Sequence, residues 1–339
     1  MALMNRRWTI AGRPVGRDVD ESDFAMEEGE ARLPDDGEVL VRVDLLAFEP
    51  SMKGQMENIG GYAARTEIGD TMRGLATGIV IESRADAVPV GATVFGQFGW
   101  QEYATVPAAV AQVLDGPEPA SAHLGVLGVV GLTAYFGMKH VGRPFPGDTV
   151  VVTGAAGGVG AVVVQIAKLC GCRVIGVAGG ADKCRMLTEE LGADGAIDYK
   201  AQDLAAELAR LAPAGIDVVW DNVGGVMLND ILAHLALHAR VVICGGISRS
   251  KTGGMPVGPS NYFNLVFKRA TMSGILLNDY ESEFAAGRAR LADWLASGRL
   301  AAREDVQVGL ENAPRTLMRL FSGANVGKQL LRLKEGQGA

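Results

Sequence analysis

The sequence predicts an α/β protein in which a mainly β N-terminal part precedes a doubly wound parallel sheet. Residues 37–45 alternate in polarity with the two-residue period of a strand, and short apolar runs separated by turn residues continue to about residue 110. Beyond Pro146, apolar strands alternate with helical stretches. A length of 339 residues is sufficient for two domains of ordinary size.

The N-terminal part is expected to form sheet. Val39, Val41, Val43 and Leu45 fall on one face of its first clear strand. Further strands are predicted at 76–81, 92–95 and 102–106, where Gly, Pro and Asp separate apolar runs.

The part beyond Pro146 is expected to be a parallel sheet covered by helices. Its strands are predicted at 149–153, 173–177, 196–197, 216–220, 240–244 and 272–277. Its helices are predicted at 158–169, 181–191, 201–211, 226–237, 262–269 and 282–297, with a last helix and strand within 313–333. The final strand, 329–333, is expected to return to the N-terminal β domain.

Composition and charge narrow the function classes. The net charge of −7 does not favour a nucleic-acid partner, because such proteins present basic patches. The four cysteines are too few for a disulfide scaffold and indicate a reducing cytoplasm. Residues 8–18 lack the apolar core of an export signal, and the uncharged stretches 119–138 and 149–167 contain glycines and polar side chains typical of buried core. We expect a cytoplasmic protein without a membrane partner.

A glycine-rich loop between a predicted strand and a predicted helix indicates a dinucleotide. In Gly154-Ala-Ala-Gly157-Gly158-Val-Gly160, free backbone N–H groups and the positive end of the helix dipole would meet a pyrophosphate. Ala155 replaces the first glycine of the G-x-G-x-x-G pattern, whereas Gly157 and Gly160 occupy the other two places. A structural turn without a ligand is the alternative interpretation.

The end of the second strand favours NADP over NAD. An NAD site places a carboxylate there for the ribose 2′-hydroxyl. Here the chain reads Gly176-Val-Ala-Gly179-Gly180, followed by Lys183 and Arg185, which offer cations to a 2′-phosphate. Asp182 is expected to be a helix N-cap instead.

The residues do not favour metal or serine-nucleophile chemistry. The first histidine is His123 and the first cysteine is Cys170, so the N-terminal part lacks the ligands of a catalytic zinc. His234 and His238 are expected to be surface or cap residues one helical turn apart. No G-x-S-x-G elbow occurs. We predict no metal, and hydride transfer is the best-supported chemistry.

Several segments in this order resemble the zinc-free medium-chain dehydrogenase/reductases, in the branch of leukotriene/prostaglandin reductase, curcumin reductase and alkenal double-bond reductase. The resemblance covers nearly the whole chain. Besides the glycine loop, the matching segments are Glu49-Pro-Ser-Met-Lys-Gly-Gln-Met56, Gly69-Asp-Thr-Met-Arg-Gly74, Gly99-Trp-Gln-Glu-Tyr103, Gly131-Leu-Thr-Ala-Tyr-Phe-Gly137, Ala196-Ile-Asp-Tyr-Lys200, Asp221-Asn-Val-Gly-Gly225, Gly258-Pro-Ser-Asn-Tyr262 and Gly323-Ala-Asn-Val-Gly-Lys328.

The resemblance implies a GroES-like domain formed by residues 1–122 and 300–339, and a Rossmann domain formed by residues 123–299 that binds NADP(H). It also implies an active site in the cleft between them, a homodimer, and NADPH-dependent reduction of the C=C bond of α,β-unsaturated ketones or aldehydes. The small-molecule substrate would therefore be an enone or enal.

The resemblance also implies site residues. Tyr262 matches the catalytic candidate, whose phenol would donate a hydrogen bond to the enolate oxygen; a packing tyrosine at a helix start is the alternative. Tyr62, Ser51 and Met56 are the substrate-binding candidates, and Tyr62 could instead be a packing lid. The cofactor-binding candidates are Thr133, Gly157, Gly158, Val159, Gly160, Gly179, Lys183, Tyr199, Asn222, Gly245, Ile247, Ser248 and Asn325, of which Lys183 and Tyr199 would hold the 2′-phosphate.

Two segments depart from the family pattern. Glu49-Pro50-Ser51 replaces Asp-Pro-Tyr, which opens room beside the substrate, and Ile247-Ser248-Arg249-Ser250-Lys251 replaces Ile-Ser-x-Tyr-Asn, which exchanges an aromatic for cations. Two other functions stay open at this point. One is a zinc-free NADPH:quinone reductase, and the other is an NADPH-binding sensor or structural protein without turnover.

Overall fold

The chain divides into two compact units, described by a computed structural model over residues 3–58, 66–251 and 258–334. The first, which we call the β unit, consists of Met1–Leu124, Glu304–Asn325 and Gln329–Ala339. The second, which we call the α/β unit, consists of Gly125–Arg303 and Val326–Lys328. Each unit therefore includes a segment from the C-terminal part of the sequence.

The described residues form strands and helices with the following bounds. The strands are β1 Met4–Ile10, β2 Phe24–Glu30, β3 Glu38–Ala47, β4 Leu75–Ser83, β5 Thr93–Gln97, β6 Tyr103–Pro107, β7 Gln112–Val113, β8 Thr149–Thr153, β9 Arg173–Ala178, β10 Gly195–Asp198, β11 Ile216–Asp221, β12 Leu235–Ile243, β13 Thr271–Gly274, β14 Glu304–Val308 and β15 Lys328–Arg332. The α-helices are α1 Ser51–Glu57, α2 Ala120–Leu124, α3 Val129–Phe136, α4 Gly158–Leu169, α5 Ala181–Glu189, α6 Leu204–Leu211, α7 Gly225–Ala233, α8 Asn264–Lys268, α9 Phe284–Ala296 and α10 Ala313–Ser322.

The α/β unit is built on a parallel sheet with the order β10-β9-β8-β11-β12-β13. This is the order of the doubly wound Rossmann fold, and it reverses direction between β8 and β11. Because both faces of such a sheet are covered, its strands are rich in buried β-branched residues, among them Val151, Ile175 and Val219. The carboxyl ends of β8 and β11 consequently lie side by side at the point where ligands bind in this fold.

The β unit contains a mainly antiparallel sheet with the order β14-β15-β3-β4-β5-β7, and β6 also pairs with β3. Its core includes Trp100, which is fully buried and has ring centroids 5.2 Å from Phe24 and 5.0 Å from Phe48. Strand β15 pairs with the end of β3. The expectation that the last strand returns to the N-terminal β domain is therefore confirmed.

Two expectations about helices are wrong. The helix expected at 226–237 ends at Ala233, and β12 begins at Leu235 because this segment pairs in parallel with β11. His234 and His238 are therefore not a helical pair: His234 follows the helix and His238 lies in the strand with a φ of 63°. Asp182 is not an N-cap either, since Gly180 occupies that position with a φ of 105°.

Other differences concern boundaries and omitted elements. Strands β1, β2, β7 and β14 and helices α1, α2 and α3 had no counterpart in the sequence-based assignment. Strand β13 is shorter than expected, and the helix expected from Tyr262 begins at Asn264. No helix among the described residues is long and apolar enough to span a bilayer.

Candidate functional site

The glycine loop between β8 and α4 has the geometry of a phosphate cradle. Gly154 adopts a φ of 57°, and Gly157 is the N-cap of α4 without a side-chain cap bond. A Cβ at Gly160 would lie 2.3 Å from the carbonyl oxygen of Gly154. Only a glycine at position 160 therefore permits this close approach of helix to strand. The first N–H groups of α4 have no partner within the helix and can bind an anion.

The chain segment 326–328 adds to the same loop. Gly327 donates its backbone N–H to the carbonyl oxygen of Ala156 at 2.7 Å and forms an isolated parallel bridge with Gly157. On the other side, a Cβ at Gly158 would lie 3.5 Å from the methyl carbons of Val130 in α3. The loop is thus fixed by main-chain contacts on one side and apolar packing on the other. Thr133 lies further along α3 and is half-buried.

Asn222 joins the ends of β8 and β11. Its Nδ2 donates to the carbonyl oxygen of Thr153 at 2.7 Å, and its backbone N–H donates to Thr153 Oγ1 at 2.9 Å. Its Oδ1 accepts from the indole N–H of Trp220 at 3.0 Å. These bonds align the two strand ends beneath the glycine loop, where a Cβ at Gly154 would contact Asn222 at 3.5 Å.

A buried carboxylate at the end of β11 was not singled out from the sequence. Asp221 Oδ1 accepts a hydrogen bond from Thr153 Oγ1 at 2.7 Å, and its Oδ2 accepts one from the N–H of Gly224 at 2.9 Å. Burial raises the pKa of Asp221, which these hydrogen bonds partly oppose. Burial also raises the pKa of the Cys244 thiol to about 12, with a further contribution from Asp221. One feature of the sequence could have identified Asp221. It is the acidic residue that begins the segment Asp-Asn-Val-Gly-Gly, which has the composition of an Asx-type turn.

The segment after β12 packs against the Asn222 turn. Gly245 donates its N–H to the carbonyl oxygen of Asp221 at 3.2 Å, and Ile247 donates to that of Asn222 at 3.2 Å. Ser248 Oγ donates to the carbonyl oxygen of Val223 at 2.6 Å. The structure thus brings Asn222, Gly245, Ile247 and Ser248 together at the carboxyl end of the sheet.

The ends of β9 and β10 form the next part of this edge. A Cβ at Gly179 would lie 2.8 Å from Lys200 Cε and 2.9 Å from Tyr199 Cε1. Lys183 is half-buried in the first turn of α5. Arg185, the other cation noted in the sequence, donates to the carboxylate of Asp182 at 2.7 Å on the exposed face of that helix. Lys200 was not identified as a candidate from the sequence.

Tyr262 lies in the turn before α8 with 60% of its surface exposed. The turn is attached to α7 through Asn229, whose Oδ1 accepts from the N–H of Ser260 at 3.0 Å and whose carbonyl oxygen accepts from Asn261 Nδ2 at 2.8 Å. The phenol of Tyr262 is thus accessible, and the turn that carries it is held to α7 by two hydrogen bonds.

The substrate-binding candidates differ in their surroundings. Ser51 is exposed at the start of α1, whereas Met56 is fully buried in the core of the β unit. Tyr62 lies outside the described residues. Lys53, between Ser51 and Met56, is buried, and its Nζ donates to the carbonyl oxygen of Pro14 at 2.9 Å and pairs with Glu57.

Asn325, a cofactor-binding candidate, is buried in the β unit with 8% exposure. The described residues contain no group of three or more His, Cys, Asp or Glu side chains that could hold a metal ion.

Comparison with known proteins places this fold and loop in a family. Residues 6–114 match the family model described as the N-terminal domain of oxidoreductase, and residues 158–293 match the one described as zinc-binding dehydrogenase. The chain is 39% identical to NADPH-dependent curcumin reductase of Escherichia coli over 97% of each chain. It is 36% identical to the NADP⁺-dependent 2-alkenal reductase of Nicotiana tabacum over 95% of this chain and 94% of that protein.

A solved structure agrees over the same length. The crystal structure of CurA in complex with NADPH from Vibrio vulnificus has a TM-score of 0.92 and 37% identity, covering 98% of this chain and 100% of that one. The chain belongs to the medium-chain dehydrogenase/reductase family, in the branch that contains curcumin, 2-alkenal and prostaglandin reductases. The predicted fold class, a Rossmann sheet with a GroES-like N-terminal domain, is confirmed.

Proposed function

We propose that this protein is an NADPH-dependent reductase of the C=C bond of α,β-unsaturated ketones or aldehydes. The carrying observation is the arrangement at the carboxyl end of the parallel sheet, where an uncapped α4 and the close-packed Gly160 form a cradle for a pyrophosphate. The relatives named as NADPH-dependent curcumin reductase and NADP⁺-dependent 2-alkenal reductase support the reaction class.

The chain's own residues fit NADP(H). Gly157, Gly158, Val159 and Gly160 would hold the pyrophosphate through α4, and Gly179, Lys183 and Tyr199 would hold the 2′-phosphate. The second strand, β9, ends in Ala178 followed by two glycines, so no acid repels that phosphate from the end of this strand. We assign Thr133, Asn222, Gly245, Ile247, Ser248 and Asn325 to the remainder of the cofactor. When bound, NADPH supplies the hydride.

Tyr262 is the proposed catalytic residue. Addition of hydride to the β-carbon of an enone moves negative charge onto the carbonyl oxygen, where a positioned phenol stabilises it by donating a hydrogen bond. Protonation of the α-carbon then completes the reduction. The exposed phenol on a turn anchored to Asn229 satisfies the requirement for an accessible donor on a fixed support. Ser51 and Tyr62 are proposed substrate contacts. Met56 is the third proposed substrate-binding residue, and it would act from the core of the β unit, where it lies on the same helix as Ser51.

The experiment is NADPH consumption against an aliphatic enal, an aryl enone, a simple quinone and a ketone, with wild type and Tyr262→Phe. We expect enal and enone turnover, and a roughly 10²-fold lower kcat in the variant, the size of effect seen when one oxyanion donor is removed. Tyr280→Phe is the matched control, because its ring stacks on His140 at 4.8 Å and this stacking survives loss of the hydroxyl.

Each alternative function has its own outcome in the same experiment. Quinone turnover that is unaffected by Tyr262→Phe would favour the quinone reductase. Tight NADPH binding without turnover of any acceptor would favour the sensor. Enone turnover undiminished in the variant would remove Tyr262 from the mechanism.

Zinc independence and a cytoplasmic location are part of the proposal. Zinc independence is supported by the sequence, because no Cys or His precedes His123 and a catalytic zinc needs such ligands. Turnover that persists after dialysis against a chelator is the expected result. The small number of cysteines supports the reducing compartment.

We also propose a homodimer. Strand β13 ends the sheet of the α/β unit in the part of the chain that is described, and all of its residues are exposed. Beside it in sequence, Val266 and Phe267 of α8 expose 59% and 65% of their surfaces. An open strand edge near exposed apolar side chains is typical of a surface that pairs with a second copy.

A further inference from the structure

The turn after β10 carries a cation that the family resemblance did not assign. Lys200 is the second residue after the strand, and it is exposed. Its Cε and the Tyr199 ring both lie within 3 Å of the place where Gly179 would carry a Cβ. Because Gly179 has no side chain, the Tyr199 ring and the Lys200 stem pack directly over the end of β9, where the fold receives the adenosine ribose.

Asp198 fixes this arrangement. Its Oδ1 accepts hydrogen bonds from the N–H of Gly180 at 2.9 Å and from the N–H of Lys200 at 3.0 Å. One oxygen thus joins the turn after β9 to the turn after β10. The N–H of Tyr199 also donates to the carbonyl oxygen of Ala178 at 3.1 Å, which closes the same junction through the main chain.

The negative charge of the Asp198 carboxylate would by itself disfavour a phosphate nearby. The role of Asp198 therefore depends on the groups that its oxygens bind. The backbone hydrogen bonds from Gly180 and Lys200 lower the pKa of Asp198, and the charge of Lys200 adds to this effect. Asp198 is therefore ionised at neutral pH, and one of its oxygens accepts from two backbone N–H donors. Arg185 is paired with Asp182 on α5, whereas the stem of Lys200 lies against Gly179 at the end of β9.

We propose that Lys200 is a specificity-determining cation for the 2′-phosphate of the nucleotide, and that Asp198 is the positioning residue that holds Lys200 and Tyr199 beside Gly179. This inference rests on the proposed use of NADPH. It adds Lys200 to the phosphate contacts and gives Asp198 an indirect role, without contact to the cofactor.

The test is isothermal titration of the full-length protein with 2′,5′-ADP and with 5′-AMP, which share the adenosine and differ by the 2′-phosphate. Lys200→Met is expected to weaken 2′,5′-ADP about tenfold, the order of one charge-assisted hydrogen bond, and to leave 5′-AMP within about twofold. Arg210→Met removes an exposed cation on α6 that is paired with Glu207 at 3.0 Å, and it is expected to change neither.

Two substitutions separate positioning from charge at Asp198. Asp198→Ala removes the shared acceptor and is expected to lower the 2′,5′-ADP to 5′-AMP affinity ratio about fivefold. Asp198→Asn retains a single carbonyl oxygen for both N–H donors and removes a negative charge, so the ratio should equal or exceed that of the wild type. A purely structural role would weaken both nucleotides together and leave this ratio unchanged in both variants.

An unchanged ratio in Lys200→Met, or an equal loss in Arg210→Met, would overturn the assignment of Lys200. Equal weakening of both nucleotides by Asp198→Ala would overturn the positioning role. In these cases the proposed function stands. A wild-type protein that binds 5′-AMP as tightly as 2′,5′-ADP would instead contradict the NADPH preference itself.

Discussion

Gly160 shows how one missing side chain determines whether the glycine loop can form. Within the loop, a Cβ would meet a neighbouring atom at 3.5 Å at Gly154, 3.3 Å at Gly157 and 3.5 Å at Gly158, but at 2.3 Å at Gly160. The obstructing atom is a backbone oxygen, which has no rotamer into which it can move. Strain must therefore be accommodated by separating α4 from β8.

Gly160→Ala is expected to lower the free energy of unfolding by about 1–3 kcal/mol, the typical cost of overpacking, and to weaken NADPH binding. Gly158→Ala is the control for stability, because its nearest contacts are methyl carbons at 3.5 Å. Urea denaturation and fluorescence titration with NADPH measure the two effects. Equal stability of the two variants would contradict the packing argument.

At the residue scale the sequence predicted the glycine positions but not the polar bonds beneath them. The spacing of Gly157 and Gly160 is local and readable from the chain. The pairing of Asn222 and Asp221 with Thr153 joins positions 68 and 69 residues apart, because β8 and β11 become neighbours only when the sheet forms. Likewise, the contact of Lys200 with Gly179 depends on the pairing of β10 with β9.

At the scale of elements, α6 begins at a well-defined cap. Asp203 Oδ1 accepts a hydrogen bond from the N–H of Ala206 at 2.8 Å. Asp203→Ala is expected to lower the free energy of unfolding by about 1 kcal/mol, whereas Asp203→Ser should retain most of it. Thermal unfolding followed by circular dichroism measures both variants. If alanine and serine are equally stable, the cap does not contribute.

Elements whose apolar residues recur with the regular spacing of a strand or a helix could be predicted from the sequence. Elements that are recognisable only by their pairing with another strand could not. Strand β8 and helix α4 follow local patterns and agree with the sequence-based bounds of 149–153 and 158–169. In contrast, Leu235 continues the apolar pattern of α7 but pairs with Ile216 in the sheet. Strand β1 was missed because it is defined by its pairing with β2, in which Met4 faces Glu30 and Ile10 faces Phe24.

At the scale of the whole molecule, the proposed dimer predicts a solution mass of twice the 35.5 kDa of one chain in light scattering. Met272→Lys places a charge on the exposed strand β13 and is expected to shift the equilibrium towards monomer. Met4→Lys makes the same exchange at an exposed methionine on β1 and should leave the mass unchanged. A wild-type mass of one chain at micromolar concentration would contradict the dimer.

The return of β15 to β3 has a consequence for the order in which a nascent chain folds. All six strands of the α/β sheet precede residue 304. The residues of that sheet have therefore all been synthesised before β14 and β15. Along one edge of β3, β6 covers Glu38 to Arg42, whereas Leu45, Leu46 and Ala47 wait for Leu330, Leu331 and Arg332. Three buried positions of an early strand therefore stay without a neighbour along this edge through most of translation, while Leu45 and Leu46 pair with β4 on the other edge. Since closing so long a loop precedes this pairing, the β unit should be the last to reach its final form and the more exposed to aggregation during synthesis.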